Sequence, residues 1–200
     1  MSKQRDDESL GYYQRLEAAV EGLLFLKGIL RPEDLDQQMK AMDERDYTRG
    51  ARMVARAWVD AAYRDRLLAN GSAAAEELGF PAGPLRLMVV ASTPRLHNVI
   101  VCTLCSCYPR ALLGIPPAWY KSAEYRSRVV REPRKVLLEF GTSIPPEVEI
   151  RVHDSTAELR YMVLPLRPAG TDGLDEGALA KLVTRDSLIG VGLPLLPAAT

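Results

Sequence analysis

The sequence predicts an α+β protein in which a helical N-terminal arm precedes a region of mixed strands and helices. Two observations predict this class. Apolar residues from about Leu10 to Phe80 recur at the spacing of helices, and short β-rich segments appear only beyond Pro81-Ala82-Gly83-Pro84. We therefore expect two regions, a helical arm over residues 1–80 and an α+β region over residues 81–200.

The arm is predicted to contain a series of helices, each recognised by its apolar spacing and its ends. The first ends at Gly28, and the next begins at Pro32, a residue that suits the first turn of a helix. Asp60 is the expected N-cap of a helix that stops at Asn70-Gly71, and a short last helix ends at Gly79. Because the apolar stripes are narrow, the arm either covers the sheet or wraps a second subunit, and the sequence leaves both open.

The second region is predicted to contain strands over residues 85–91, 98–102, 147–152 and 159–164. In the third of these, Glu147-Val148-Glu149-Ile150-Arg151-Val152, charged and apolar residues alternate strictly, and the fourth segment is its expected partner. The residues between them, Asp154-Ser155-Thr156-Ala157, are typical of a turn. Helices are predicted over residues 122–131, 133–140 and 175–183.

The composition argues against several classes of function. The 26 Lys and Arg residues balance 26 Asp and Glu residues, whereas a nucleic-acid binder usually has a basic excess. The first residues are polar, and no apolar run approaches the length of a membrane span. An odd number of clustered cysteines fits a disulfide framework poorly. We expect a cytoplasmic protein with thiols kept for a metal or for redox chemistry, and with neither nucleic acid nor membrane as a partner.

All three cysteines lie in one segment, Val101-Cys102-Thr103-Leu104-Cys105-Ser106-Cys107. Thiolates this close together can bind one soft metal ion. Cys105 and Cys107 flank a single residue, so the backbone amides of Ser106 and Cys107 lie beside their sulfurs. Once deprotonated, those nitrogens would complete a planar set of two nitrogens and two sulfurs. Cys102 could then be an axial ligand, with one position left open for catalysis.

Two other interpretations of this segment compete with that one. A structural zinc site needs a fourth ligand, which His97 could supply from the start of a strand. Zinc sites, however, usually contain two C-x-x-C pairs, or one such pair with H-x-x-H. A C-x-x-C redox motif normally opens a helix, and the Tyr108-Pro109 that follows Cys107 argues against a helix there.

The segment resembles the claw motif of the α-subunit family of nitrile hydratases, metalloenzymes that add water to nitriles to make amides. The family pattern V-C-[TS]-L-C-S-C is unbroken at residues 101–107. Four later blocks are also similar to the family: L-G-I-P-P-A-W-Y-K at 113–121, Y-R-S-R-V-V-R-E-P-R at 125–134, R-P-A-G-T at 167–171 and L-V-T-R-D-S-L-I-G-V at 182–191. The resemblance implies a layered α/β/β/α metal-binding domain, and makes residues 81–200 the catalytic region.

The resemblance also implies the metal and its ligands. Thr103 is typical of members that carry one non-corrin cobalt(III) ion per chain, whereas members with Ser carry iron. The implied ligands are the three cysteine sulfurs and two amide nitrogens, from Cys102, Cys105, Ser106 and Cys107. In the family, the residue at Cys105 is oxidised to a sulfinate and that at Cys107 to a sulfenate. Cys107 and Cys105 are therefore the expected catalytic residues.

A trivalent ion with an open position implies Lewis-acid hydration of a small-molecule nitrile. The Cys107 sulfenate would act as nucleophile or as base. The family further implies a β subunit of one or two polypeptides, whose arginines bind the sulfinate, and a cobalt-loading activator protein. The isolated chain is expected to self-associate or to be less active. A metal-carrying subunit that is inert without its partner is the non-enzyme alternative.

Three positions depart from the family pattern. Arg110 and His153 stand where Trp is usual, and Leu166 replaces a common Gln. Arg110 is expected either to line the substrate pocket with Trp119 or to form a salt bridge at a subunit interface. Arg at this place resembles the γ subunit of thiocyanate hydrolase, which acts on an anion. A pocket without the Trp would instead suit a bulky nucleoside nitrile such as toyocamycin.

Overall fold

The computed structural model describes residues 11–80 and 85–197. Packing divides the chain into two compact units, Met1–Asp43 and Glu44–Thr200. This division differs from the one expected after residue 80. The helices between residues 48 and 77 pack on the first strand and on later helices, and so they belong to the second unit.

The described part of the first unit contains two helices, α1 (Tyr12–Leu26) and α2 (Pro32–Asp43). Gly28 lies between them with a φ of 65°, a left-handed conformation that favours glycine after a helix end. The predicted start at Pro32 is confirmed, and Arg31 pairs with Asp34 in the first turn at 2.7 Å. Helix α1 contains no buried residue.

The second unit begins with α3 (Thr48–Val59), α4 (Ala61–Ala69) and α5 (Gly71–Glu77). The predicted cap is confirmed, because the Asp60 carboxylate accepts a hydrogen bond from the amide of Tyr63 at 2.9 Å. Asn70 caps α5 in the same way, through the amide of Ala73. Helices α4 and α5 pack against the first strand, and α3 packs against a helix near the C-terminus.

The described residues form two sheets of two parallel strands each. Strand β1 (Arg86–Ala91) pairs with β4 (Leu159–Leu164), and β2 (Leu96–Val101) pairs with β3 (Glu149–Asp154). The four predicted strand segments are therefore present, but the predicted pairing of the last two with each other is wrong. The residues after β3 form no hairpin turn. Instead the Ser155 amide extends the pairing to β2 by donating to Val101 O at 2.7 Å, and the chain then crosses to the other sheet.

The remaining helices surround the sheets: α6 (Arg110–Leu113), α7 (Ala118–Lys121), α8 (Ala123–Arg128), α9 (Pro133–Glu139), α10 (Glu176–Leu182) and α11 (Arg185–Ile189). The three predicted helices correspond to α8, α9 and α10. Helix α11 packs on β2 and β4 and ends at Gly190, whose φ is 90°. No helix in the described ranges is long and apolar enough to cross a membrane.

Strand β2 lies at the centre of the core of the second unit. Val99, Ile100 and Val101 are completely buried, and α11 covers them closely. A Cβ atom at Gly190 would lie 2.0 Å from the carbonyl oxygen of Asn98, so only glycine permits this approach. The next residue along the chain is Cys102. The best-packed strand of the unit therefore leads directly into the cysteine segment.

Candidate metal centre

The three cysteine side chains converge, as the sequence predicts. Their sulfur atoms all lie within 4.8 Å of one another. The Sγ of Cys105 is 3.5 Å from that of Cys102 and 3.3 Å from that of Cys107. Cys102 is buried at the end of β2, Cys107 is half-buried and Cys105 is exposed. The described residues contain no second group of this kind among their His, Cys, Asp and Glu side chains.

Neither histidine belongs to this group. His97 is buried, and its Nε2 donates to Gly190 O at 2.7 Å. Burial lowers the pKa of His97, so the neutral ring is favoured, and its Nε2 is already used by the hydrogen bond to the end of α11. His153, where the family usually has Trp, lies 2.8 Å from Asn98 Oδ1 and packs on the ring of Tyr161. A zinc site completed by His97 is therefore not supported.

The thiols of Cys105 and Cys107 differ in their pKa. Hydrogen bonds from the Cys107 and Cys102 thiols, and from the amides of Ser106 and Cys107, lower the pKa of Cys105 to about 7. Burial raises the pKa of Cys107 to about 12. Negative charge therefore forms more readily on Cys105 than on Cys107. Three soft sulfurs and two adjacent amides fit a thiophilic metal ion.

Asp154 holds the start of the claw. Its Oδ1 accepts a hydrogen bond from the amide of Thr103 at 2.9 Å, and its Oδ2 accepts one from the Thr103 hydroxyl at 2.5 Å. The pairing of β2 with β3 places Asp154 opposite Val101, directly before the claw. The sequence analysis assigned Asp154 to a turn and missed this role, because the partner of β2 was not recognised.

A cleft of about 440 Å³ opens beside the claw. Cys105, Ser106, Cys107 and Arg110 form part of its wall. Two arginines that the sequence analysis missed, Arg45 and Arg160, also line it. The Nε of Arg160 is buried without a hydrogen-bond partner. None of the described residues that line the cleft is acidic, so the cleft favours electron-rich or anionic groups.

Trp119 is not among the residues that line this cleft. Its ring packs edge-on against Tyr125 and Phe140, with centroid distances of 4.9 and 4.6 Å. The structure thus places Trp119 in an aromatic cluster behind the claw. Arg110 is exposed and forms no salt bridge within the described part of the chain, so its expected salt bridge to another subunit stays a prediction.

Comparison with known families agrees with this geometry. The model of the family "Nitrile hydratase, alpha chain" matches residues 11–192, which include the claw and the cleft. The chain belongs to this family. Membership confirms the predicted family and the α+β fold class. It also makes the chain an enzyme subunit of the hydro-lyase type.

Individual relatives in this family carry two kinds of name. The low-molecular-weight cobalt-containing nitrile hydratase subunit alpha of Rhodococcus rhodochrous is 49% identical over 183 residues, which cover 90% of this chain and 87% of that one. Thiocyanate hydrolase subunit gamma of Thiobacillus thioparus is 43% identical over 199 residues, covering 94% and 82%. A solved recombinant thiocyanate hydrolase "comprising partially-modified cobalt centers" has a TM-score of 0.85 at 42% identity, covering 93% of this chain and 91% of that one.

Proposed function

We propose that this chain is the cobalt-carrying α subunit of a nitrile hydratase that converts a nitrile into an amide. The convergence of three thiols beside an open cleft carries this proposal. Cobalt-containing relatives near 50% identity support the choice of metal. Thr103, the residue typical of cobalt members, supports it independently.

The proposed ligands are the sulfurs of Cys102, Cys105 and Cys107 and the amide nitrogens of Ser106 and Cys107. When bound there, cobalt(III) supplies Lewis acidity that makes a nitrile carbon or a water molecule more reactive. The chain's own residues hold the ligands and shape the approach. Asp154 fixes the first turn of the claw, and the buried Cys102 anchors it to β2.

The cleft determines which end of the substrate faces the claw. Leu85, Leu87 and Leu112 provide an apolar part of its wall, which suits the carbon chain of a nitrile. Cys107 lies in the same wall. We propose that Cys107, as a sulfenate, directs its oxygen into the cleft and acts as nucleophile or as general base toward water.

We also propose that Cys105 carries a sulfinate and Cys107 a sulfenate. Oxidation selects thiolates that solvent can reach. Solvent reaches the exposed Cys105 and the half-buried Cys107, whereas Cys102 is buried and should stay unoxidised. The mass of the claw peptide tests this pattern, with two added oxygen atoms expected on Cys105 and one on Cys107. Unmodified cysteines in active, metal-loaded enzyme would refute it.

The proposed partner is a β subunit of one or two polypeptides. Helix α1 has no buried residue, yet it carries large apolar side chains, among them Leu16, Val20 and Leu23. Such a surface favours association with a second polypeptide. The family's subunit names are consistent with a hetero-oligomer. A cobalt-loading activator, self-association of the isolated chain and a cytoplasmic location complete the proposal.

Two finer proposals concern the substrate. A cleft of about 440 Å³ without the usual Trp leaves room for part of a bulky nucleoside nitrile such as toyocamycin. The second candidate is hydrolysis of thiocyanate, as in the γ subunit to which the chain is also similar. Arg45, Arg110 and Arg160 favour it, because three cations around one cleft attract an anion.

Comparing substrates on one preparation tests these proposals. The chain would be produced with cobalt, with and without a β subunit, and supplied with a small aliphatic nitrile, toyocamycin or thiocyanate. We expect amide formation from at least one nitrile, strongest with the partner present. Cys102→Ala should abolish turnover and cobalt binding together. An inert complex with full cobalt content would contradict the proposed activity, and an active pair with an inert isolated chain would support a purely metal-carrying role for the latter.

A further inference from the structure

We infer that Arg126 is a positioning residue that holds the claw in its metal-binding shape before the metal arrives. This inference rests on the proposed function, since it concerns the same metal centre. Arg126 lies on α8, outside the claw sequence, and does not line the cleft. It therefore acts through the claw backbone and not on the substrate.

The geometry begins with the anchoring of α8 to β2. The Ser122 hydroxyl caps the helix by accepting from the amide of Tyr125 at 3.1 Å. The Tyr125 hydroxyl is buried and donates to Ile100 O at 2.8 Å, two residues before Cys102. Helix α8 is thereby fixed to the strand that enters the claw. The neighbouring residue on this helix is Arg126.

Arg126 binds the claw on the other side of Cys102. Its Nη1 donates to the carbonyl oxygens of Thr103 at 3.2 Å and Leu104 at 2.9 Å. Its Nε also lies 3.4 Å from Ser122 O, which ties the guanidinium back to its own helix. Within the described residues, no backbone amide donates to either claw carbonyl. Arg126 is thus the donor that satisfies both of them.

These bonds set the orientation of the peptide groups in the claw. Both peptide groups of Thr103 are hydrogen-bonded to side chains. Its amide donates to Asp154, and its carbonyl accepts from Arg126. At the far end, the Tyr120 hydroxyl donates to Cys107 O at 3.0 Å. The carbonyls of Thr103, Leu104 and Cys107 are thus bound by side chains on both sides of Cys105 and Ser106. The claw therefore loses its conformational entropy when the protein folds, and not when the metal binds.

The experiment compares Arg126→Gln with Arg126→Lys and a matched control, Arg131→Gln. Arg131 lies just beyond α8, and among the described residues its side chain donates only to Ser127 O, so its replacement removes the same charge without touching the claw. The full chain would be loaded with cobalt(II) and then challenged with a chelator. Loss of an outer partner typically weakens metal binding about 10- to 100-fold, so we expect release about 10-fold faster in Arg126→Gln. Arg126→Lys should be intermediate and Arg131→Gln unchanged.

A second measurement uses the chain free of metal. Amide hydrogen exchange of residues 103–107 should be faster in Arg126→Gln than in wild type or Arg131→Gln, with the protection of β2 retained. If Arg126→Gln does not fold, Arg126→Lys provides the same comparison. Equal exchange at the claw in all variants would overturn the inference. A wild-type chain that binds no cobalt would instead overturn the proposed function, and claw exchange would then decide the inference alone.

Discussion

Replacing Asp154 by Asn is expected to loosen the claw at Thr103. The carboxylate accepts two hydrogen bonds from this one residue, from its amide and from its hydroxyl. Asn has one acceptor oxygen, so it can keep one of these bonds while its own amide donor faces the other. A hydrogen bond to a charged group is worth about 1.5–3 kcal/mol, and exposure of both residues reduces that to about 1 kcal/mol. We expect a loss of about 1–2 kcal/mol in the free energy of unfolding.

The coupling between the two side chains gives the sharper test. Thr103→Val removes only the hydroxyl donor, so a double-mutant cycle with Asp154→Ala, which leaves no acceptor, isolates the bond between the two side chains. Urea denaturation of the metal-free full chain would measure the free energy of unfolding of all four proteins. The expected coupling is about 1 kcal/mol. Glu149→Gln is the control, because this carboxylate at the other end of β3 pairs only with exposed Arg151. Additive effects of the two substitutions on the free energy of unfolding would refute the proposed coupling between Thr103 and Asp154.

Three further predictions follow from the cleft and the core. Arg110→Trp should lower kcat/KM for thiocyanate more than kcat/KM for a small neutral nitrile. Added salt should have the same effect on the wild-type enzyme, because it screens the charge of Arg110. An unchanged ratio of the two kcat/KM values would show that Arg110 does not contact the substrate. Gly190→Ala should lower the free energy of unfolding by about 3 kcal/mol or more, because its Cβ would collide with Asn98 O. Gly173→Ala is the control, since Gly173 also has a positive φ but no atom lies near its Cβ position, and it should lower the free energy of unfolding by about 1 kcal/mol. Thermal denaturation would measure both. Burial holds the pKa of His97 below the 6.5 of a free imidazole, so below that pH the unfolded chain takes up a proton that the folded chain excludes. The free energy of unfolding should therefore decrease as the pH is lowered from about 7 to about 5. A free energy of unfolding that does not change with pH in urea denaturation would contradict this.

Sequence reasoning succeeded where the physical signal is local. The cap at Asp60, the helix start at Pro32 and the four strand segments each depend on residues close together in the sequence. The claw itself is also local, since three thiols within six positions must lie close together. These features could be read without knowing what packs against them.

The strand pairing could not be read in this way. Parallel partners are separated by long connections, and alternation within one strand does not identify the strand beside it. Because the pairing of β3 with β2 was not predicted, the role of Asp154 was not predicted either. Asp154 reaches the claw only through that pairing. The position of Arg160 in the cleft wall was missed for the same reason, because it depends on the pairing of β4 with β1. Arg45 was missed because it reaches the cleft through close packing against Gly114. Helices α6, α7 and α11 are too short for periodicity to show.

Trp119 illustrates a different limit. Its place in the motif leaves both a pocket role and core packing open, and its half-buried ring packs edge-on against Tyr125 and Phe140, which follow it in the chain. An aromatic residue next to a site can support that site from behind or face the substrate, and the sequence is the same in both cases. Tertiary packing decides between them.

The metal content of the purified chain tests the central claim most directly. Elemental analysis of protein produced with cobalt, iron and zinc all supplied should give close to one cobalt per chain, and Cys102→Ala should lose it. Zinc or iron as the dominant stoichiometric metal in the wild-type protein would contradict the account.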